Sequence, residues 1–156
     1  RLVGTGTSAG GLTMAAAINL RPDLFRAAVL NGPFVDVLTA MLDPQLPLTT
    51  LEYPEWGNPA VAEEYGWMRA YDPYVNLAPG RYPDMLVLGG LTDSQVPFWQ
   101  PAKYVARLRD VTGGETLVLL STNMGAGHAG EPGRFDSLRQ WALQYAFVLA
   151  AVGIGE

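Results

Sequence analysis

The sequence has no cysteine and a single histidine, His128. The lack of cysteine excludes a disulfide framework, thiolate metal sites and a cysteine nucleophile. It leaves the compartment open, with cytoplasm as the expectation. Clustered lysine and arginine are also missing, and ten basic against fifteen acidic residues give a net charge of −5. A nucleic-acid partner is therefore not expected, because binding a phosphate backbone needs a basic patch. Long apolar runs are lacking too. The longest covers 146–154, well short of the roughly 18 residues of a membrane span, so no membrane partner is expected. Neither a repeat nor a signal peptide is visible. The first residue is Arg1 and the chain opens as if inside a strand. It is read as a portion of a longer protein, so the missing signal says little about location.

What remains is a chain of 156 residues, nearly half of them apolar. That is enough for one domain with a real core. "RLVGTG" reads as the end of a buried strand, and "SAGGLTMAAAINL" as a helix closed at Arg21-Pro22, since proline disfavours helix in the residue before it. "RAAVLN", "DMLVLGG" and "ETLVLLS" are short continuous apolar runs, suited to strands buried on both faces. Two further helices are expected. One covers "FWQPAKYVARLRD", with Phe98, Ala102, Val105 and Leu108 on its packing face. The other covers "GRFDSLRQWALQYAFVLAAVG", with Phe135, Leu138, Ala142, Tyr145 and Leu149 at helical spacing. Between 34 and 80 the chain is irregular, broken by Pro44, Pro47, Pro54 and Pro59, with a short helix over "VAEEYGWMRAY". Strands alternating with helices predict an α/β fold, a mostly parallel sheet with helices on both faces. Functional groups in such sheets gather at the carboxyl ends of the strands.

Three loops follow three of those strands. The first holds Gly6-Thr7-Ser8-Ala9-Gly10, a G-x-S-x-G pattern at a strand-to-helix turn. Glycines let the backbone pass closely there, so the bend can present Ser8 as a nucleophile. The Ala9 N–H at the helix start can act as an oxyanion donor. The second loop places Asp93 as the acid that orients a base; its alternative is a helix cap or turn residue. The third carries His128 among glycines, free to act as general base over the serine. The order Ser8, Asp93, His128 is that of the α/β-hydrolases, and the joint arrangement carries more than any one residue. Gln95, two residues past the acid, is either a hydrogen-bond donor to a peptide carbonyl or a polar residue at a helix start. Trp56, Trp67 and Trp99 are read as packing aromatics before channel lining, and Arg134 as a solvated surface charge.

Several stretches are far more specific than G-x-S-x-G. "PLTTLEYPEWGNP", "GLTDSQVPFWQPAK" and "AGHAGEPGRFDS" resemble the oligopeptidase B group of the prolyl oligopeptidase family, and the resemblance covers almost the whole chain. It implies an α/β-hydrolase peptidase domain, of which this chain is the carboxyl-terminal portion. It also implies a β-propeller domain in the same parent chain, short peptide substrates cut after Lys or Arg, and no metal or other cofactor. The second oxyanion donor is implied to be a tyrosine upstream of Ser8. A cationic substrate side chain needs a carboxylate in its pocket, and Glu52 matches one acid that the family places there. Two other such positions differ here. Gly66 stands where relatives tend to have glutamate, and Pro54 where they have an acid; Glu63 or Glu64 is the candidate substitute. A serine peptidase is the leading function. The alternatives are an esterase or other acyl hydrolase on the same fold, and a truncated inactive module.

Overall fold

A computed structural model describes residues 2–130 and 133–154, without the side chains at 134 and 136. The surface role expected of the Arg134 side chain therefore lies outside the described residues. Four strands form one parallel sheet in the order β1-β2-β3-β4: β1 (Leu2–Thr7), β2 (Phe25–Asn31), β3 (Asp84–Gly90) and β4 (Val118–Asn123). Helix α1 (Ala9–Leu20) links β1 to β2. It stops at Arg21, whose φ of −142° has left the helical region ahead of Pro22. Helices α2 (Val37–Met41), α3 (Tyr53–Trp56) and α4 (Ala62–Tyr71) lie between β2 and β3. Helix α5 (Trp99–Val111) precedes β4 and α6 (Arg134–Val152) follows it. The end of α6 is a Schellman closure. Gly153 takes φ 73°, and Ile154 N–H donates back to the Leu149 carbonyl.

Alternation along the central strands explains why helices cover both faces. Ala28, Leu30, Met85 and Val87 point to one side and pack with Ala15 and Ile18 of α1 and Tyr104, Val105 and Leu108 of α5. Ala27, Val29, Leu86 and Leu88 point to the other and pack with Phe147 and Ala151 of α6. Both faces of β2 and β3 are thus dry, as their continuous apolar runs require. A third cluster of Phe34, Val37, Met41, Met68 and Val96 sits within the segment after β2 and reaches the start of α5. Among the described residues no helix is long and apolar enough to cross a membrane.

Three expectations need correction. β1 is an outer strand of this sheet, and only its Gly4 is buried. On α5 the buried apolar residues are Pro101, Tyr104, Val105 and Leu108, while Phe98 precedes the helix and is 45 % exposed. On α6 the apolar residues chosen by spacing face outward: Phe135, Leu138, Tyr145 and Leu149 are all exposed, and the sheet is met by Phe147, Val148 and Ala151. Helical spacing identifies a stripe but not the side on which the sheet lies. Here α6 carries apolar residues on two sides, and the side with Phe147, Val148 and Ala151 meets the strands.

Candidate active site

The bend at the end of β1 is sterically forced. Ser8 has φ 54°, and it is the one non-glycine residue with positive φ among the described residues. Such a backbone persists only where its surroundings over-determine it. Here the Ser8 N–H donates to the Asn31 carbonyl, and the Ser8 carbonyl accepts from the N–H groups of Gly11 and Phe34. Two glycines make room. A β-carbon on Gly6 would lie 2.3 Å from the Gly10 carbonyl oxygen, and one on Gly11 would lie 2.6 Å from Pro33. Gly10, the second glycine of the pattern, has nothing within 4 Å of such an atom. The steric need therefore falls on Gly6 and Gly11. Ala9 is the first residue of α1, where an amide N–H has no partner inside the helix and the helix dipole favours negative charge.

Asp93 and His128 meet beside this bend. Asp93 Oδ2 lies 2.8 Å from His128 Nδ1. The other oxygen, Oδ1, accepts from the N–H groups of Gln95 (2.9 Å) and Val96 (2.8 Å). The carboxylate is thus held from both sides in a side chain only 2 % exposed. With Nδ1–H donating to a carboxylate, the neutral imidazole presents Nε2 as its acceptor. Gly32 (φ +49°) underlies the pair. A β-carbon there would sit 3.5 Å from Asp93 Oδ2 and from two imidazole atoms. The loops carrying the two residues are tied by Thr92 N–H donating to the Ala126 carbonyl. Gly90 lets them touch, since a β-carbon on it would strike the Ala126 oxygen at 2.4 Å. Ser8 joins the pair through the backbone: its N–H partner is Asn31, the neighbour of Gly32. No hydrogen bond joins the Ser8 hydroxyl to His128.

Ser8 and Ala9 also line a pocket whose apolar walls include Phe34, Met41, Leu46, Leu48, Trp56 and Val96. Glu52 and the exposed Gln95 line it as well. Glu52 Oε2 accepts the Trp56 indole N–H at 2.9 Å. Among the described residues, Glu52 is the one acid lining this pocket. The other candidates go elsewhere. Glu64 Oε2 accepts the Asn58 N–H at 2.5 Å, Glu63 is exposed, as is Glu55 beside Trp56, and the space beside Gly66 is open. Of the three tryptophans considered, Trp56 reaches the pocket, Trp67 is 57 % exposed, and Trp99 lies 5.3 Å beneath the Lys103 ammonium.

Composition gave no sign of a buried charge group behind the pocket. Asp36 is 1 % exposed and pairs with Lys103 of α5, while its N–H donates to Gln100. Asp72 is fully buried and accepts the N–H groups of Leu38 (2.8 Å) and Val75 (3.0 Å). Burial pushes the Asp72 carboxyl above the usual carboxylate range, and nearby Asp36 adds to the rise, against the pull of those two donors. These groups fasten α2, which supplies Met41 to the pocket wall, to α4 and α5. A sequence signal existed in the acids at 36 and 72, but Lys103 lies 67 residues from Asp36 and Leu38 lies 34 residues from Asp72.

Comparison with known proteins places this arrangement. A model of the family described as "Prolyl oligopeptidase family" matches residues 1–155. The chain is 50 % identical over 154 residues to dipeptidyl aminopeptidase BI of Pseudoxanthomonas mexicana, covering 99 % of this chain and 21 % of that protein. It is 46 % identical over 154 residues to protease 2 of Moraxella lacunata, covering 99 % of this chain and 22 % of that protein. Among solved structures, oligopeptidase B from Leishmania major superposes with a TM-score of 0.96 at 42 % identity, over 98 % of this chain and 21 % of that one. Oligopeptidase B from Trypanosoma brucei with covalently bound antipain gives 0.97 at 41 % identity, over 100 % of this chain and 22 % of that one. The chain thus spans about a fifth of the length of the relatives it matches. By its match from end to end and by its fold, the chain belongs to the prolyl oligopeptidase family, among proteins of the oligopeptidase B type.

Proposed function

We propose that this chain carries the nucleophile, base and orienting acid of a serine peptidase that cuts short peptides after Arg or Lys. The observation that carries this is the Asp93–His128 bond of 2.8 Å beside a strained serine at a strand-to-helix bend. Asp93 fixes the tautomer in which His128 Nε2 accepts the Ser8 hydroxyl proton as Oγ attacks the scissile carbonyl carbon. The Ala9 N–H receives the negative charge that forms on the carbonyl oxygen. As the C–N bond breaks, His128 returns the proton to the leaving amine. Water then attacks the acyl group on Ser8 with His128 again as base, releasing the second product. The covalently bound antipain of the Trypanosoma brucei relative is consistent with such a nucleophile.

Glu52 is the pocket acid that meets the cationic side chain, and the apolar walls take its methylene stem. Gln95 supplies a hydrogen bond to the peptide. In this reading the chain is the carboxyl-terminal part of an α/β-hydrolase domain in a parent protein that also holds a β-propeller, and the protein acts in the cytoplasm. A second reading is favoured by the 50 % identity to a dipeptidyl aminopeptidase: release of dipeptides from free amino termini by the same chemistry.

The test uses the full-length protein on amide substrates with Arg, Lys, Phe or Pro before the scissile bond, each with a blocked and a free amino terminus. Preference for Arg and Lys on blocked substrates, abolished by Ser8→Ala, is the expected result. Turnover of dipeptide amides with free amino termini alone would favour the second reading. Hydrolysis of aryl esters without amides would replace both with an esterase.

A further inference from the structure

We infer that Trp56 is a positioning residue for specificity: its indole N–H holds the Glu52 carboxylate at the pocket so that one acid suffices for a cationic side chain. The inference rests on the proposed role of Glu52. An unheld glutamate samples several rotamers, and a ligand that needs one of them must meet the cost of ordering it. Here that ordering is built in. Glu52 immediately precedes α3, and Trp56, one turn later, donates to its Oε2 at 2.9 Å. Among the described residues, Oε1 receives no donor, so it remains for a ligand. Trp56 is itself fixed. Its ring lies 5.8 Å from that of Phe34 at 57°, and its carbonyl accepts the Tyr71 hydroxyl at 3.4 Å. The rest of the pocket makes this necessary. Gly66 offers no carboxylate and Glu64 is turned to the Asn58 N–H, so no second acid compensates for a misplaced Glu52.

The experiment compares three forms of the full-length protein: the native form, Glu52→Gln, and one with 3-benzothienylalanine in place of Trp56. The last keeps the bicyclic shape and replaces only the N–H by sulfur. The readout is kcat/KM for an arginine amide divided by that for a phenylalanine amide. Loss of a charge-assisted hydrogen bond should lower this ratio about tenfold in the benzothienyl form, with the change in KM for the arginine substrate and not in kcat. An unchanged ratio in that form, with a fall in Glu52→Gln, overturns the role of Trp56 while leaving Glu52 in place. An unchanged ratio in Glu52→Gln overturns the pocket assignment and this inference with it.

Discussion

The amide of Ser8 donates to the carbonyl of Asn31 at 3.0 Å. This bond fastens the bend after β1 to the end of β2, one residue before Gly32 passes under His128 and Asp93. The proposed nucleophile and base are therefore set by one shared stretch of backbone, and crowding at that stretch should register in both stability and activity.

The glycines around Ser8 should separate sharply. Gly6→Ala and Gly11→Ala each force a β-carbon into backbone or Pro33, and each should cost about 1–3 kcal/mol or more. Gly10→Ala enters open space in the first turn of α1. It should be neutral or stabilise by roughly 0.5 kcal/mol, because alanine loses less backbone entropy in a helix. Urea unfolding of the three variants measures this. Equal loss in all three would show that the bend is not limited by these contacts.

Asp93→Asn should keep the fold but reverse the preferred tautomer. An amide N–H aimed at His128 Nδ1 makes that nitrogen an acceptor and leaves Nε2 protonated, unable to take the serine proton. A fall in kcat of about 10³–10⁴ near neutral pH is expected, with a small change in KM. A loss under tenfold would remove Asp93 from the orienting role.

Much of this site was legible in the chain because it is encoded locally. Ser8 lies within a short glycine pattern, Asp93 and His128 follow apolar runs, and their order needs no long-range pairing to read. Glu52 came from the family resemblance, and the structure puts it on the pocket that Ser8 lines. The illegible parts depend on partners distant in sequence. Nothing near Asp36 signals Lys103, and nothing near Asp72 signals the Leu38 backbone. Helix α2 was missed because five residues in a proline-rich stretch carry too little periodicity. On α5 the expected Val105 and Leu108 are buried and Phe98 is not, whereas the packing face of α6 was misread because apolar spacing does not show where the sheet lies.

Asp72 gives a pH dependence of defined sign. Burial raises its folded-state pKa above the unfolded value, so the native protein binds the proton more tightly. Its contribution to stability is most favourable below the unfolded pKa of about 3.9 and is lost as pH rises through the raised folded value. Carbon-detected NMR of the Asp72 carboxyl should show a midpoint above that of a model peptide. A midpoint at or below the model value would contradict the burial account.

The outer face of α6 exposes Phe135, Leu138, Trp141 and Tyr145, with the last two rings stacked at 6.2 Å, and β1 is an open sheet edge. Apolar patches and free edges of this kind associate. The isolated 156-residue chain should self-associate at micromolar concentration in light scattering. Leu138→Lys with Trp141→Lys should raise the monomer fraction. A monodisperse 16.8 kDa species that melts cooperatively would contradict this.

The most direct measurement is reaction of the full-length protein with a fluorophosphonate, followed by peptide mapping and by amide hydrolysis in the Ser8→Ala variant. A single adduct on Ser8, with loss of both labelling and hydrolysis in Ser8→Ala, is the predicted result. Labelling at another residue, or amide hydrolysis surviving in Ser8→Ala, would contradict the assignment of Ser8 as the nucleophile.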